Sequence, residues 1–217
     1  MFKIITTKDG SDTLYNPELD EHYHSINGAI QESKHVFINA GFKEIRKNEL
    51  SVLEVGFGTG LNALLTLKEC GLLENKIQYT AVELFPLTHE VIQKLNYDDI
   101  IGEADSFHKM HSCAWNTWVD INDQFLLKKL KVDLRTMHFQ DKYDLVYFDA
   151  FSPQKQPALW TGEIFDKIVS ACNEDAVFTT YSAKGSVRRG LQKAGFYVER
   201  IPGPPGKREM IRARRVL

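Results

Sequence analysis

Ser51-Val-Leu-Glu-Val-Gly-Phe-Gly-Thr-Gly60 is the stretch on which the reading of this chain turns. Val52, Leu53 and Val55 make a short apolar run that stops at glycine, the pattern of a buried, parallel strand. Gly56, Gly58 and Gly60 follow at alternate positions. There the missing Cβ lets the backbone turn tightly and approach a ligand. Leu61-Asn-Ala-Leu-Leu-Thr-Leu-Lys-Glu-Cys70 reads as a helix. Strand, glycine loop and helix form a nucleotide-like ligand site on an α/β sheet. A glycine-rich turn that binds nothing has the same local pattern.

The spacing narrows the ligand. A dinucleotide site asks for G-x-G-x-x-G, with the third glycine packing helix against strand. Here the glycines read G-x-G-x-G, preceded by Glu54 and followed by Leu61 and Asn62. This compact form is similar to the first motif of S-adenosylmethionine-dependent methyltransferases.

The chain has 217 residues, 43% hydrophobic and 26% charged, which suits one ordinary globular domain with additions. Residues 1–24 read as an N-terminal extension and 25–217 as the main domain. No secretory h-region and no long uncharged apolar run is present. Cys70, Cys113 and Cys172 lie far apart and form no C-x-x-C pair, which fits a reducing cytoplasm. Charge is unevenly distributed. From Lys184 onward ten basic residues face only Glu199 and Glu209, a balance of +8, whereas the rest of the chain carries −10. A basic segment on an acidic protein points to a polyanionic partner; a solvated charged face is the alternative.

Outside the opening stretch, residues 1–24 are polar and acidic, with room for a hairpin. Ser25 is placed to cap a helix running to about Ala40. Lys76 to Glu83 reads as the second strand. Pro86 starts a helix to about Leu95, and 104–119 reads as helical. His108, His111 and Cys113 have no second ligand pair at zinc spacing, so packing or surface roles are expected and no metal site. Gln124 to Asp133 reads as a third strand and Tyr143 to Asp149 as a fourth. A helix from Trp160 to about Ala171, a strand over 176–181 and a helix from Lys184 to Ala194 follow, the last stopped by Gly195. Phe196–Arg200 and Glu209–Arg215, joined by Pro202-Gly-Pro-Pro-Gly206, suit an antiparallel hairpin at a sheet edge. The alternation predicts a doubly wound, Rossmann-like α/β fold with a mostly parallel sheet.

Glu83, Asp133 and Asp149 each end a predicted strand. Ligands of open α/β sheets bind beyond the carboxyl ends of the strands, so these acids should converge on the glycine loop. Glu83 would accept from ribose hydroxyls, Asp133 would lie near an adenine amino group and Asp149 would face the reacting centre. In Asp149-Ala-Phe-Ser-Pro153 a carboxylate, an aromatic wall at Phe151 and a rigid turn at Pro153 suit an amine acceptor. Such a nucleophile must be neutral and aligned, and a carboxylate can orient it and take its proton.

Taken together, the motifs resemble the methyltransferase domain of the bifunctional tRNA-modifying MnmC family. The stretches that carry the resemblance are Gly28–Phe37, Glu54–Asn62, Glu83-Leu-Phe-Pro-Leu87, Asp149–Pro153 with Pro157 and Trp160, Phe178–Ala183, Val187–Phe196 and Lys207-Arg-Glu-Met210. The resemblance implies S-adenosylmethionine as cofactor, held by Glu54, Gly56, Phe57, Gly58, Thr59, Gly60, Asn62, Glu83, Leu84, Asp133, Leu134 and Asp149. It implies methylation of an aminomethyl group on wobble 2-thiouridine in tRNA, with Asp149 and Phe151 at the catalytic centre. The substrate would be met by Pro153, Lys184, Arg188, Arg189, Lys207 and Arg208. The form expected is a stand-alone one, with a separate flavin-dependent enzyme as possible partner. One departure is local: family members carry a Gly-Asp pair and a longer loop before the Asp149 strand, whereas here Lys131-Val-Asp-Leu134 links briefly to Tyr143.

Two other functions remain open on the sequence. A small-molecule amine N-methyltransferase, or a related aminopropyl transferase, would not need the basic C-terminal segment, since free amines are cationic. A non-catalytic RNA-binding module would need neither the acids nor the glycine loop. Binding of S-adenosylmethionine separates the module from the enzymes.

Overall fold

The computed structural model describes residues 2–216. Its elements, in chain order, begin with β1 (Lys3–Thr6), β2 (Asp12–Asn16) and β3 (Glu21–His22), then α1 (Ala29–Ser33), which continues as a wider-pitched turn over Lys34–Asn39. β4 (Glu49–Val55), α2 (Leu61–Leu73), β5 (Lys76–Val82), α3 (His89–Ile92), α4 (Tyr97–Ile101), α5 (Ala104–Ser112), β6 (Trp118–Asn122) and β7 (Phe125–Leu130) follow. The last part holds β8 (Tyr143–Phe148), α6 (Gly162–Ser170), β9 (Cys172–Thr180), α7 (Gly185–Lys193), β10 (Phe196–Pro202) and β11 (Glu209–Arg215).

β4 is apolar because it lies in the middle of the sheet. Val52, Leu53 and Val55 are buried, and β4 pairs in parallel with β5 on one side and β8 on the other. The large sheet has the order β10-β11-β9-β8-β4-β5-β7-β6. Its five central strands are parallel, and an antiparallel hairpin closes each edge. One apolar core, with α2, α4 and α5, covers one face; another, with α6 and α7, covers the other. This is the doubly wound arrangement expected. The helix α2 is apolar nearly all round because the sheet and the α1 region enclose it.

The direction of winding reverses between β4 and β8, which puts Gly56 and Asp149 side by side at the switch point. There Asp149 N–H donates to Val55 O over 2.9 Å, and Gly56 N–H donates to Val82 O over 2.9 Å. Open α/β sheets hold their ligands at this crevice.

Several elements differ from the expected bounds, each for a local reason. The α1 helix starts at Ala29 because Gly28 has a φ of 143° and because the Glu32 carboxylate turns back to accept from Ser25 N–H. The helix expected from Pro86 is only His89–Ile92; the segment before it turns, with Glu83 Oε1 accepting from Phe85 N–H at 2.9 Å. The region 104–119 is not one helix. It stops at Ser112, Asn116 takes a φ of 63°, and Trp118 begins β6 against β7. β7 ends at Leu130, so Asp133 stands in a turn beyond it, where its carbonyl accepts from Thr136 and Met137 N–H. α6 begins at Gly162 with Thr161 capping Ile164 N–H, and β9 begins as early as Cys172.

Residues 3–22 form a three-stranded antiparallel sheet. It is more than an extension: the chain leaving it carries Tyr23 and His24 onto the glycine loop.

Candidate active site

A cavity of about 800 Å³ opens at the carboxyl ends of β4, β5, β7 and β8. Gly56, Phe57, Gly58, Thr59, Glu83, Leu84, Asp133, Leu134, Asp149 and Phe151 line it, as does Lys207. Glu83 and Asp149, at the ends of β5 and β8, and Asp133, in the turn after β7, thus line the same cavity as the glycine loop. Glu54 is fully buried beneath the cavity, and Asn62 nearly so. Gly60 begins α2 and faces His111. Pro153, Lys184, Arg188, Arg189 and Arg208 do not line the cavity.

The glycine loop is shaped by close approaches. Gly56 has a φ of 92°, and a Cβ there would stand 2.7 Å from Asp149 O, so only glycine fits. Glu83 Oε2 accepts from Gly58 N–H at 3.1 Å. Thr59 is clamped from two sides, with its hydroxyl 2.8 Å from His24 Nε2 and its carbonyl 3.1 Å from His111 Nε2. Since a carbonyl only accepts, His111 donates from Nε2. Burial holds both rings neutral, His24 down to about 4 and His111 down to about 3. Phe57 packs near His111 and Trp115, and the buried Lys129 ammonium stands 5.7 Å from its ring and 4.8 Å from that of Trp115. Lys129 also donates to His111 O, and burial lowers its pKa.

Beneath the cavity the Asn62 amide joins two acids. Its Nδ2 donates to Asp149 Oδ2 at 2.8 Å and to Glu54 Oε1 at 3.0 Å. Burial, reinforced by nearby Asp149, raises Glu54 well above the carboxylate range, so it is protonated. Burial also lifts Asp149 to about 7; the Asn62 hydrogen bond and Lys207 pull it down, while Glu32 pushes it up.

Aromatic and acidic groups surround Asp149. Tyr23 meets Phe151 edge-on at 4.9 Å. The Tyr181 hydroxyl donates to Ala150 O at 2.8 Å, and Lys207 Nζ lies 4.1 Å over the Tyr181 ring. Lys207 also pairs with Glu32 at 2.7 Å. Trp160 Nε1 donates to Phe151 O, and Gln156 Oε1 accepts from Phe151 N–H, so the loop after Asp149 is tied down. Glu21 reaches across from β3 to accept from Ser152 N–H at 3.2 Å and from its hydroxyl at 3.0 Å.

Glu21, Tyr23, His24, Glu32 and Tyr181 were absent from the sequence-derived site. Glu32 and Tyr181 sit inside stretches that carry the family resemblance, which was an available signal. Glu21, Tyr23 and His24 gave none, because nothing local shows that a polar N-terminal hairpin folds over a distant loop.

The arrangement fits a nucleoside with a cationic tail. Glu83 keeps lone pairs for ribose hydroxyls after accepting from two amides. Val55, Val82, Leu84 and Leu134 give apolar walls for a base. Asp133, which also lines the cavity, is engaged by the exposed Arg135, whose Nη2 lies 2.6 Å from Oδ2.

Four of the ten basic residues of the C-terminal segment are neutralised within the molecule. Arg212 pairs with Glu44 and Glu199, Arg214 with Glu44, Arg200 with Glu209 and Lys207 with Glu32. Its expected role as a broad polyanion surface is thereby reduced to fewer side chains.

Comparison with known proteins agrees with this geometry. A family model described as S-adenosyl-L-methionine-dependent methyltransferase matches residues 89–216, more than half of the chain. The tRNA 5-methylaminomethyl-2-thiouridine biosynthesis bifunctional protein MnmC of Campylobacter hominis is 32% identical over 214 residues, covering 92% of this chain and 31% of that protein. The protein of the same name from Nitrosospira multiformis is 30% identical over 91% of this chain and 34% of its own. The chain thus spans about a third of the length of these relatives. The crystal structure of MNMC2 from Aquifex aeolicus superposes with a TM-score of 0.82 at 28% identity, over 98% of this chain and 69% of that one. Spermidine synthase from Thermotoga maritima, at 15% identity and a TM-score of 0.54, shares the fold. A glycine loop whose close approaches leave no room for side chains, strand-end acids converging on it, and a family model spanning the second half of the sheet lead to one conclusion: this chain belongs to the family of S-adenosyl-L-methionine-dependent methyltransferases.

Proposed function

We propose that this methyltransferase acts on the aminomethyl nitrogen of 5-aminomethyl-2-thiouridine at the wobble position of tRNA. The observation that carries the reading is Asp149, a half-buried carboxyl held near neutrality at the aromatic-walled end of the cavity. Likeness to MnmC proteins along nearly the whole chain supports the substrate.

Bound S-adenosylmethionine supplies an electrophilic methyl group on a sulfonium. Glycine-loop amides, Glu83, Leu84 and Leu134 would hold it. The side chains of this protein prepare the acceptor. An aminomethyl group reaches the site as an ammonium, and Glu21, Glu32 and Asp149 give that end of the cavity the sign that attracts it. Ionised Asp149 accepts one proton from the ammonium and frees the nitrogen lone pair. Asn62 fixes the Asp149 oxygen that does not face the amine. Tyr23, Phe151 and Tyr181 offer ring faces and edges to a uracil-type base and exclude water.

Lys184, Arg188 and Arg189, on and just before α7, have no ion pair among the described residues, and Arg189 is exposed for phosphate contact. The bifunctional relatives pair two activities, and a flavin-dependent enzyme that delivers the aminomethyl base would be a partner in the same modification. The setting is the cytoplasm, where tRNA is modified; among the described residues no helix is long and apolar enough to cross a membrane.

Methyl transfer from labelled S-adenosylmethionine to tRNA carrying the aminomethyl base tests the reading. Label on that base supports it; label only on free small amines would sink it.

A further inference from the structure

Lys207 lines two cavities. On one side is the site around Asp149; on the other is an open groove, also of about 800 Å³. The groove runs between Gln31, Lys34 and Asn39, exposed on α1 and its continuation, and the loop 203–207. Ile100, 48% exposed, stands at its margin.

We propose that this groove seats the RNA strand flanking the modified base. The inference rests on the tRNA reading above and adds the path of the chain leaving the catalytic cavity.

Four observations support it. The first is continuity, since Lys207 lines both the cavity at Asp149 and the groove. The second is charge. Lys34 is exposed and has no ion pair among the described residues, and the neighbouring Lys8 donates only to the neutral Asn27 amide at 2.8 Å. The acid at the groove, Asp9, is engaged by the amides of Ser11 and Gln31 and the hydroxyls of Thr7 and Ser11. Lys8 and Lys34 are thus exposed without a carboxylate partner, whereas Asp9, also exposed, has its oxygens occupied by these donors. The third is chemistry: Pro205 and Ile100 offer exposed apolar surface beside the amides of Gln31 and Asn39. Single-stranded RNA asks for this mixture, with cations along the backbone and apolar contact for bases and sugars. The fourth is rigidity. His35 Nε2 lies 2.8 Å from Pro202 O, and Gly206 sits so close to the Asn27 amide that a Cβ would collide with it. A preformed wall loses little freedom on binding. By contrast Arg200, Arg212 and Arg214 on the C-terminal hairpin are already paired with carboxylates.

The test compares the full chain with a Lys8→Glu/Lys34→Glu variant, a Lys34→Gln variant and a Lys76→Glu control at the opposite end of β5. Each is assayed for tRNA binding across a salt series, and for methyl transfer to tRNA and to free 5-aminomethyl-2-thiouridine nucleoside. The double variant is expected to bind tRNA more than about tenfold more weakly, with a salt slope shallower by about 1 per lysine. Lys34→Gln, which removes charge without adding repulsion, should fall between it and the parent. Transfer to the nucleoside should be unchanged, and Lys76→Glu should match the parent throughout. Parental tRNA affinity in the double variant and in Lys34→Gln overturns the proposal, and so does a parent protein that binds no RNA. If the parent binds tRNA through the groove but labels a different nucleotide, the modification reading fails and the groove stands.

Discussion

The Asn62 side-chain amide donates to Asp149 Oδ2 over 2.8 Å. The same nitrogen donates to Glu54 Oε1. The motif that begins as a glycine loop thus ends, two residues after Gly60, in a link between the loop and the residue placed at the reaction. Glu54 Oε2 has no donor among the described residues, and protonation removes the buried charge it would otherwise carry. A neutral acid, an amide and a titratable carboxyl stand in line from the protein interior to the cavity.

Removing the amide should therefore change the proton affinity of Asp149 and not the shape of the cavity. Asn62→Ala deletes a hydrogen bond that lowers the Asp149 pKa. The inflection in the rate–pH profile should move to higher pH, and kcat near pH 7 should fall by about tenfold or more. KM for S-adenosylmethionine should change little, because Asn62 does not line the cavity. A profile that keeps its inflection while KM rises would assign Asn62 to cofactor binding.

In the parent enzyme, Asp149 must be ionised to accept a proton. With its pKa raised to about 7, the rate should climb as pH rises through that value. Asp149→Asn should lose turnover by about 100-fold or more while still binding S-adenosylmethionine in a calorimeter. Equal loss of both would make Asp149 mainly a cofactor ligand.

Acid should loosen the glycine loop. His24 is buried and neutral, with its pKa lowered from 6.5 to about 4. A depressed histidine pKa means that the unfolded chain binds the extra proton more readily. Stability is therefore present above pH 6.5 and is lost as pH falls toward 4, by about 3 kcal/mol for this ring alone. His111 acts in the same direction. Thermal melts between pH 7 and 4 should show a steep fall, and His24→Asn should flatten it. A melting temperature independent of pH in this window would contradict neutral, buried rings.

Gly56→Ala should be far more damaging than an alanine at Gly162, where an added Cβ meets nothing within 4 Å. At Gly56 the methyl group would press on Asp149 O at a φ of 92°. A loss of about 1–3 kcal/mol for the strained backbone is expected, and S-adenosylmethionine binding should go with it. Differential scanning fluorimetry with and without cofactor measures both.

The central sheet was legible in the sequence because its strands advertise themselves. Tyr143–Phe148 is buried along its whole length and reads, past Asp144, as one apolar run; the glycines mark the tight turn at Gly56. The convergence of Glu83 and Asp149 followed from strand polarity alone. What stayed hidden depends on contacts distant in sequence. Glu21 reaches Ser152 across 131 positions and His24 reaches Thr59 across 35, and no local pattern encodes either. Trp118 was misplaced on a helix because its strand is defined by pairing with β7, not by alternation. The C-terminal charge excess was counted correctly, but composition does not tell that Glu44 lies between Arg212 and Arg214.

The most direct measurement is nucleoside mass spectrometry of tRNA incubated with the protein and methyl-labelled S-adenosylmethionine. The tRNA should come from cells that stop at the aminomethyl stage. The result predicted is label in 5-methylaminomethyl-2-thiouridine, abolished by Asp149→Asn. Label in any other nucleoside, or none in tRNA while small amines are methylated, would contradict it.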